Sequence, residues 1–339
     1  MKHSLIFLLH LFFFSISFSQ HTRYNKKDSS RILNAEILSY DLESNEKSKL
    51  AGQLPFNKIT FFDVRYDTSF IAINWQANTR LMVGPNSYNK KFNLTGGLAA
   101  SLSNYLNELY KDNFLDNNAE LLCFVKKFSF TLKDTLAEDR HSNESINDIK
   151  VELECFYKTG SLLFPAKRFD TNYVITISRI KKTFSELVRD MINPFSNKLG
   201  SIDSGQIVKR NSYTVEQIKD RYQSRFNIPI LTAYQYERGV YKNFTEFRNN
   251  APSVTNFKVK TKGSSTFLYD SGDNAINPLN IFGFSDGRTC WIQSGIHCFP
   301  LVRVGNSFEF LYPVYVRTNN GYFVVKLLLA LSMESGKIY

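Results

Sequence analysis

Three dipeptides near the C-terminus constrain this chain more than any other feature. Asp286-Gly287, Gly305-Asn306 and Asn320-Gly321 each stand between runs rich in β-branched and aromatic residues. Such pairs supply the positive φ angles of tight hairpin turns, so each predicts a reversal between antiparallel strands. Reversals this closely spaced predict an antiparallel meander over 232–339, shaped as a sandwich or small barrel. One short helix interrupts it, with Asn243-Phe244-Thr245-Glu246 as its start and Pro252 as its end. Residues 257–261 and 266–269 pair across the turn at 262–265. The 30 Phe and 18 Tyr among 339 residues also favour strands over helix bundles.

The first half has a different rhythm. Residues 32–38, 59–64, 120–132, 149–157 and 173–180 read as strands, with 69–73 extending or pairing with the second of them. Between them, Leu98, Leu102, Tyr105, Leu106 and Leu109 recur at helical spacing. Thr183-Phe184-Ser185-Glu186 is a capping box, and Leu187, Val188, Met191 and Ile192 form the apolar face behind it, up to Pro194. The fold class is therefore α+β. A mixed N-terminal sheet carries two covering helices, and the C-terminal meander carries one short helix.

The apolar run at 5–18 follows Lys2 and His3 and is short of the roughly 20 residues that span a bilayer. It predicts a signal peptide over 1–19 and export of the remainder. The remaining 320 residues suggest an α+β domain at 31–199, a basic linker with a short helix at 200–231, and a β-rich domain at 232–339.

Charge is distributed unevenly along the chain. Residues 179–262 hold 16 Lys or Arg against 7 Asp or Glu, most of the formal +11. Such a concentration predicts contact with an anion. The candidate contact residues are Arg179, Lys181, Lys182, Lys209, Arg210, Lys219, Arg221, Arg225, Lys258, Lys260 and Lys262. The last three alternate with Phe257, Val259 and Thr261, so one strand face is cationic and the other apolar. Alternating lysines also protect an edge strand from aggregation. A phosphorylated lipid, an acidic polymer or a membrane surface fits such a segment, and a protein partner is compatible with it. Nucleic acid is also an anion, but it is not the expected partner.

Catalytic and metal-binding patterns are weak. The four cysteines divide as Cys123 with Cys155 and Cys290 with Cys298, two candidate disulfides permitted by an exporting compartment. A three-residue loop at Gln293-Ser294-Gly295 would set Cys290 opposite Cys298. No Cys-x-x-Cys occurs, so neither a zinc ribbon nor a thioredoxin-like motif is expected. The loop with Asp134, Glu138, Asp139, His141, Glu144 and Asp148 lacks the ligand order of a calcium loop. His297 has no partner in sequence and is expected to face outward. Asp63, Arg65 and Asp67 share one face if extended. They read as a structural ion pair, or alternatively as the carboxylates of a secreted hydrolase acting on glycan or peptide. No catalytic residue, metal site or cofactor is expected.

The run from Gly239 through Tyr241, Glu246, Phe247, Asn250 and Pro252 to Ser253, followed by Phe282-Gly283-Phe284-Ser285-Asp286-Gly287, resembles a group of uncharacterised exported proteins of Bacteroidetes-type bacteria. The resemblance covers residues 236–312, and Phe282 stands where that group usually has Trp. It implies export in a Gram-negative cell, to the periplasm or the outer-membrane periphery, and brings no activity. The expectation for function is an exported, non-enzymatic cell-envelope protein that binds an anionic partner through 179–262.

Overall fold

Alternating apolar residues from Ala119 onward build the longest strands of the molecule, and these organise its first unit. The computed structural model describes residues 26–43, 50, 52–66, 68, 70–73, 90–133, 144–178, 183–262, 265–318, 321–336 and 338. The first unit comprises Asn34–Asn227, Val304–Phe308 and Val325–Tyr339. The second comprises Ile228–Arg303 and Glu309–Val324, with the helix that ends at Leu33. The architecture is α+β, with a mixed N-terminal sheet and an antiparallel C-terminal one. The second sheet forms no closed barrel among the described residues.

Helix α1 (Lys26–Leu33) precedes β1 (Glu36–Tyr40), β2 (Lys58–Asp63), β3 (Ala72–Ile73) and β4 (Lys90–Leu94). The strand expected over 32–38 thus starts at Glu36, and Ile32 is buried as a helical residue. β4 lies between β1, to which it is parallel, and β3, to which it is antiparallel. Residues 72–73 therefore pair with β4 rather than with β2.

Helix α2 (Leu98–Leu109) buries Leu98, Leu102, Tyr105 and Leu106, the stripe that predicts it. Its polar side chains complete the edge of β2. Asn107 accepts from the Ile59 amide at 2.9 Å and donates to the Ile59 carbonyl at 2.8 Å. Ser103 accepts from the Phe61 amide at 2.9 Å. An edge strand covered in this way offers no template for pairing with another chain.

Strands β5 (Ala119–Lys133), β6 (Glu144–Thr159), β7 (Leu162–Ser178) and β8 (Tyr213–Thr214) join β2 in the order β2-β5-β6-β7-β8. β2 is parallel to β5, and the other ladders are antiparallel. The strand expected from Tyr173 begins at Leu162, because Gly160 takes φ +59 and turns β6 straight into β7. Helix α3 (Phe184–Ser196) opens on the predicted capping box of Thr183 and Glu186. It runs past Pro194 to Ser196; so near the helix end, the proline removes one backbone hydrogen bond and no more.

Helices α2 and α3 cover one face of the sheet. Leu121, Val125, Val151 and Leu153 meet Leu102, Leu187 and Met191 there, joined by Ile207 of α4 (Ser204–Ile207). The opposite face is covered too. α5 (Val215–Gln223), opened by a second capping box of Thr214 and Gln217, seats Ile218 and Tyr222 on Leu122, Phe124, Phe156 and Leu163. Residues 204–223 are thus packed as part of the first unit.

The second unit continues with α6 (Pro229–Thr232), β9 (Gly239–Tyr241), α7 (Phe244–Arg248), β10 (Phe257–Lys262) and β11 (Ser265–Asp270). Strands β12 (Gly283–Ser285), β13 (Cys290–Ser294), β14 (His297–Val304), β15 (Ser307–Thr318) and β16 (Gly321–Leu331) follow in the chain, and of these Val304–Phe308 and the part of β16 from Val325 belong to the first unit. The sheet order is β16-β15-β14-β13-β12-β9, while β10 and β11 form a separate two-stranded ribbon.

Candidate functional site

The ribbon holds three of the predicted contact residues, all exposed. Because alternate strand residues share a face, Lys258, Lys260 and Lys262 all point the same way. The ladder sets Tyr269, Phe267 and Ser265 directly opposite them. One face therefore interleaves three ammonium groups, about 6.6 Å apart along the strand, with two aromatic rings. On the reverse face, Phe257 and Leu268 are buried against Val240 and Phe284. The lysine face is open to solvent, and Phe267 is 37% exposed.

Two contacts tune this face. Lys258 meets Asp273 at 2.8 Å, with both side chains more than half exposed. That hydrogen bond and charge hold the Asp273 carboxyl below its ordinary range. Lys260 lies 4.4 Å from the Tyr269 ring centroid, a cation–π contact. Phe267, Tyr269 and Asp273 were not among the predicted residues, although the pairing predicted for 257–261 with 266–269 places both rings beside the lysines.

The cations of the first unit are placed differently. Arg210 donates to the carbonyls of Pro165 and Ala166 at 2.7 and 3.2 Å. Arg221 meets Glu154 at 3.2 Å, and Glu154 also accepts from the Tyr222 hydroxyl at 2.6 Å. Arg225 lies 3.7 Å from Glu334 and 5.1 Å from the Tyr66 ring. Beside them Glu152 is buried, ion-paired to Lys126, to Lys127 at 3.3 Å and to Arg168 at 3.3 Å. Burial works to raise the Glu152 pKa, but Lys126 and Lys127 outweigh it and hold the carboxyl below its usual range. Lys209 and Lys219 are exposed. Arg179, Lys181 and Lys182 lie outside the described residues.

Asp63 is committed to a clamp. The Arg65 guanidinium donates to both its oxygens, at 2.8 and 2.7 Å. It also donates to the carbonyls of Phe70 and Phe128, at 2.9 and 3.2 Å. This bidentate pair satisfies both ions and holds the end of β2 against β5. Asp67 lies outside the described residues, as do 134–143 of the acidic loop, while Glu144 and Asp148 belong to β6. Among the described residues, no cluster of three or more His, Cys, Asp or Glu side chains is arranged to hold a metal ion.

The motif residues of the second unit have structural work. Gly283 passes so close to β13 that a Cβ there would overlap the Trp291 carbonyl. The Ser285 hydroxyl accepts from the Gly287 amide at 3.0 Å, and Gly287 takes φ +96. Asp286 accepts from the amides of Arg288 and Thr289, both at 2.8 Å. The turn therefore spans 286–289, and Ser285 pairs with Cys290. Upstream, the Tyr241 hydroxyl donates to Asn250 at 3.1 Å, and Glu246 accepts from the amides of Lys242 and Ser253 at 2.8 and 3.2 Å. Tyr241 is fully buried and packs edge-on against Phe247.

His297 is half-buried beside Phe299, with β13 separating it in sequence from Asp286. β13 and β14 turn through two residues, so Ser294 pairs with His297, Gln293 with Cys298 and Cys290 with Leu301. The expected opposition of Cys290 and Cys298 does not occur. The shorter loop shifts the register by an odd number, which puts the two thiols on opposite faces of the hairpin. Burial pushes each of these thiols up to about 12, far from a reactive thiolate. Cys123 and Cys155 do pair across β5 and β6, as free thiols with sulfurs 3.2 Å apart, and burial raises Cys123 further.

No family model and no curated protein matches this chain. A solved structure titled "Crystal structure of uncharacterized protein" is similar over 49% of this chain and 95% of its own, at 11% identity and a TM-score of 0.23.

Proposed function

We propose that this protein is a non-enzymatic, exported cell-envelope component that binds an anionic partner through the lysine face of β10 and β11. The observation that carries this reading is the alignment of Lys258, Lys260 and Lys262 on one solvent face, where Asp273 pairs with Lys258. Within 179–262, Arg210, Arg221 and Arg225 are engaged by carbonyls or carboxylates of their own unit and Lys209 and Lys219 stand on separate elements, whereas the ribbon lines three exposed cations along one strand face. Asp63, the only described member of the alternative hydrolase pair, is held by Arg65.

Export to the periplasm or outer-membrane periphery follows from the leader-like 1–19, and membership of the Bacteroidetes-type group from the motif at 239–287. In that compartment a disulfide oxidant would take two electrons and two protons from Cys123 and Cys155, and their sulfurs would join. Mass analysis without reductant should then show a loss of about 2 Da that Cys123→Ser abolishes. An unchanged mass after oxidative export would overturn the bridge.

Anion binding is tested by retention on phosphocellulose. The protein should bind at low salt, and Lys260→Gln with Lys262→Gln should elute at clearly lower salt. Arg221→Gln with Arg225→Gln should elute nearly as the parent. No retention at low salt, or equal shifts for both variants, would overturn the reading.

A further inference from the structure

We infer that the anionic partner is the surface of a lipid bilayer rich in negatively charged headgroups, with the Phe267 ring seated among them. The inference rests on the anion-binding reading above and adds the class of partner. Three features of the ribbon favour a bilayer over a soluble polyanion.

First, the lysine face is also an aromatic face. Lys258, Lys260 and Lys262 stand opposite Tyr269, Phe267 and Ser265, so every ammonium but the last has a ring across from it. At a membrane interface the lysine stems lie along apolar surface while the ammonium groups reach the headgroups, and rings settle at headgroup depth.

Second, exposed apolar groups accompany the charges. Phe267, across from Lys260, is 37% exposed. Ile296, 45% exposed, is held beside β11 by the bond from the Thr266 amide to its carbonyl at 3.2 Å. A chain of phosphates or carboxylates gains nothing from these groups, whereas the acyl boundary of a bilayer takes them out of water.

Third, the ribbon is an exposed strip. Every residue of β10 after Phe257 is exposed. Sites that follow a flexible polyanion track its backbone along a charged groove, whereas a planar surface requires only an exposed strip.

Asp273 belongs to the same device. Its carboxylate occupies Lys258 at 2.8 Å and competes with a headgroup for that ammonium.

The experiment is co-sedimentation of the full chain with phosphatidylcholine vesicles, with or without phosphatidylglycerol, alongside binding to soluble inorganic polyphosphate. Binding should require phosphatidylglycerol and fall with added salt. Lys260→Gln with Lys262→Gln should weaken it about 25-fold, near five-fold per lysine. Phe267→Ser should weaken vesicle binding about ten-fold, as expected for half-burial of one ring, and leave polyphosphate binding unchanged. Phe267→Leu should restore most of the loss, which separates insertion from a folding defect.

If polyphosphate binds as tightly as the anionic vesicles and Phe267→Ser changes neither, the bilayer is overturned while anion binding stands. Equal binding to neutral vesicles would also overturn it. Failure to bind vesicles and polyphosphate alike would remove both readings.

Discussion

Arg221 and Arg225 around α5 and the lysines of β10 come from one basic stretch of sequence and meet different fates. Around α5, Glu152, Glu154 and Glu334 are brought to Lys126, Lys127, Arg168, Arg221 and Arg225, so charge is consumed in holding the sheet face. On β10, among the described residues, the ion pair of the three lysines is Lys258 with Asp273, and it is exposed. Clustered basic residues therefore say little until the location of the carboxylates is known. Burial sets Glu152 apart from the ribbon further, since an ion pair removed from water is costly to break and an exposed pair is nearly neutral to stability.

The comparison breaks most sharply in binding. Lys258→Gln, Lys260→Gln and Lys262→Gln together should reduce affinity for anionic vesicles about 100-fold, with the urea midpoint nearly unchanged. An equal loss from Arg221→Gln with Arg225→Gln would erase the distinction between the two regions.

Stability should show the reverse pattern. Glu152→Gln leaves three cations without their buried partner and should cost about 2 kcal/mol in urea unfolding, with no effect on binding. A change below about 0.5 kcal/mol would place Glu152 among ordinary surface pairs.

Acid should reveal the same carboxylate. Its folded pKa is depressed, so its contribution is complete above the unfolded value near 4.3 and is lost as pH falls through the lower folded value. Unfolding curves below about pH 4 should lose stability more steeply in the parent than in Glu152→Gln. Parallel limbs would contradict the buried network.

The smallest effect concerns the ribbon's own counter-ion. Asp273→Asn frees Lys258 and should tighten vesicle binding up to about five-fold. Weakened binding would mean that Asp273 orients Lys258 rather than competing for it.

Much of this architecture was legible beforehand where the signal is local. The capping box at Thr183 starts α3, because the groups it satisfies lie within one turn. The apolar stripe of α2 and the register of β10 with β11 also follow from short-range spacing. The aromatic half of the candidate face was present in that register, since each lysine's partner is fixed once the turn at 262–265 is set. Other features needed more than local rules. A one-residue difference in the β13–β14 loop moved Cys290 and Cys298 to opposite faces, and neither loop length is excluded by composition.

By itself, the sequence determined the α+β class, the helix starts and the alternation of lysine with apolar residues on β10, because each depends on neighbours a few positions away. Tertiary structure alone decided which basic residues stay available. Glu154 and Glu334 reach Arg221 and Arg225 from distant parts of the chain, and charge is neutralised by proximity in space, not in sequence.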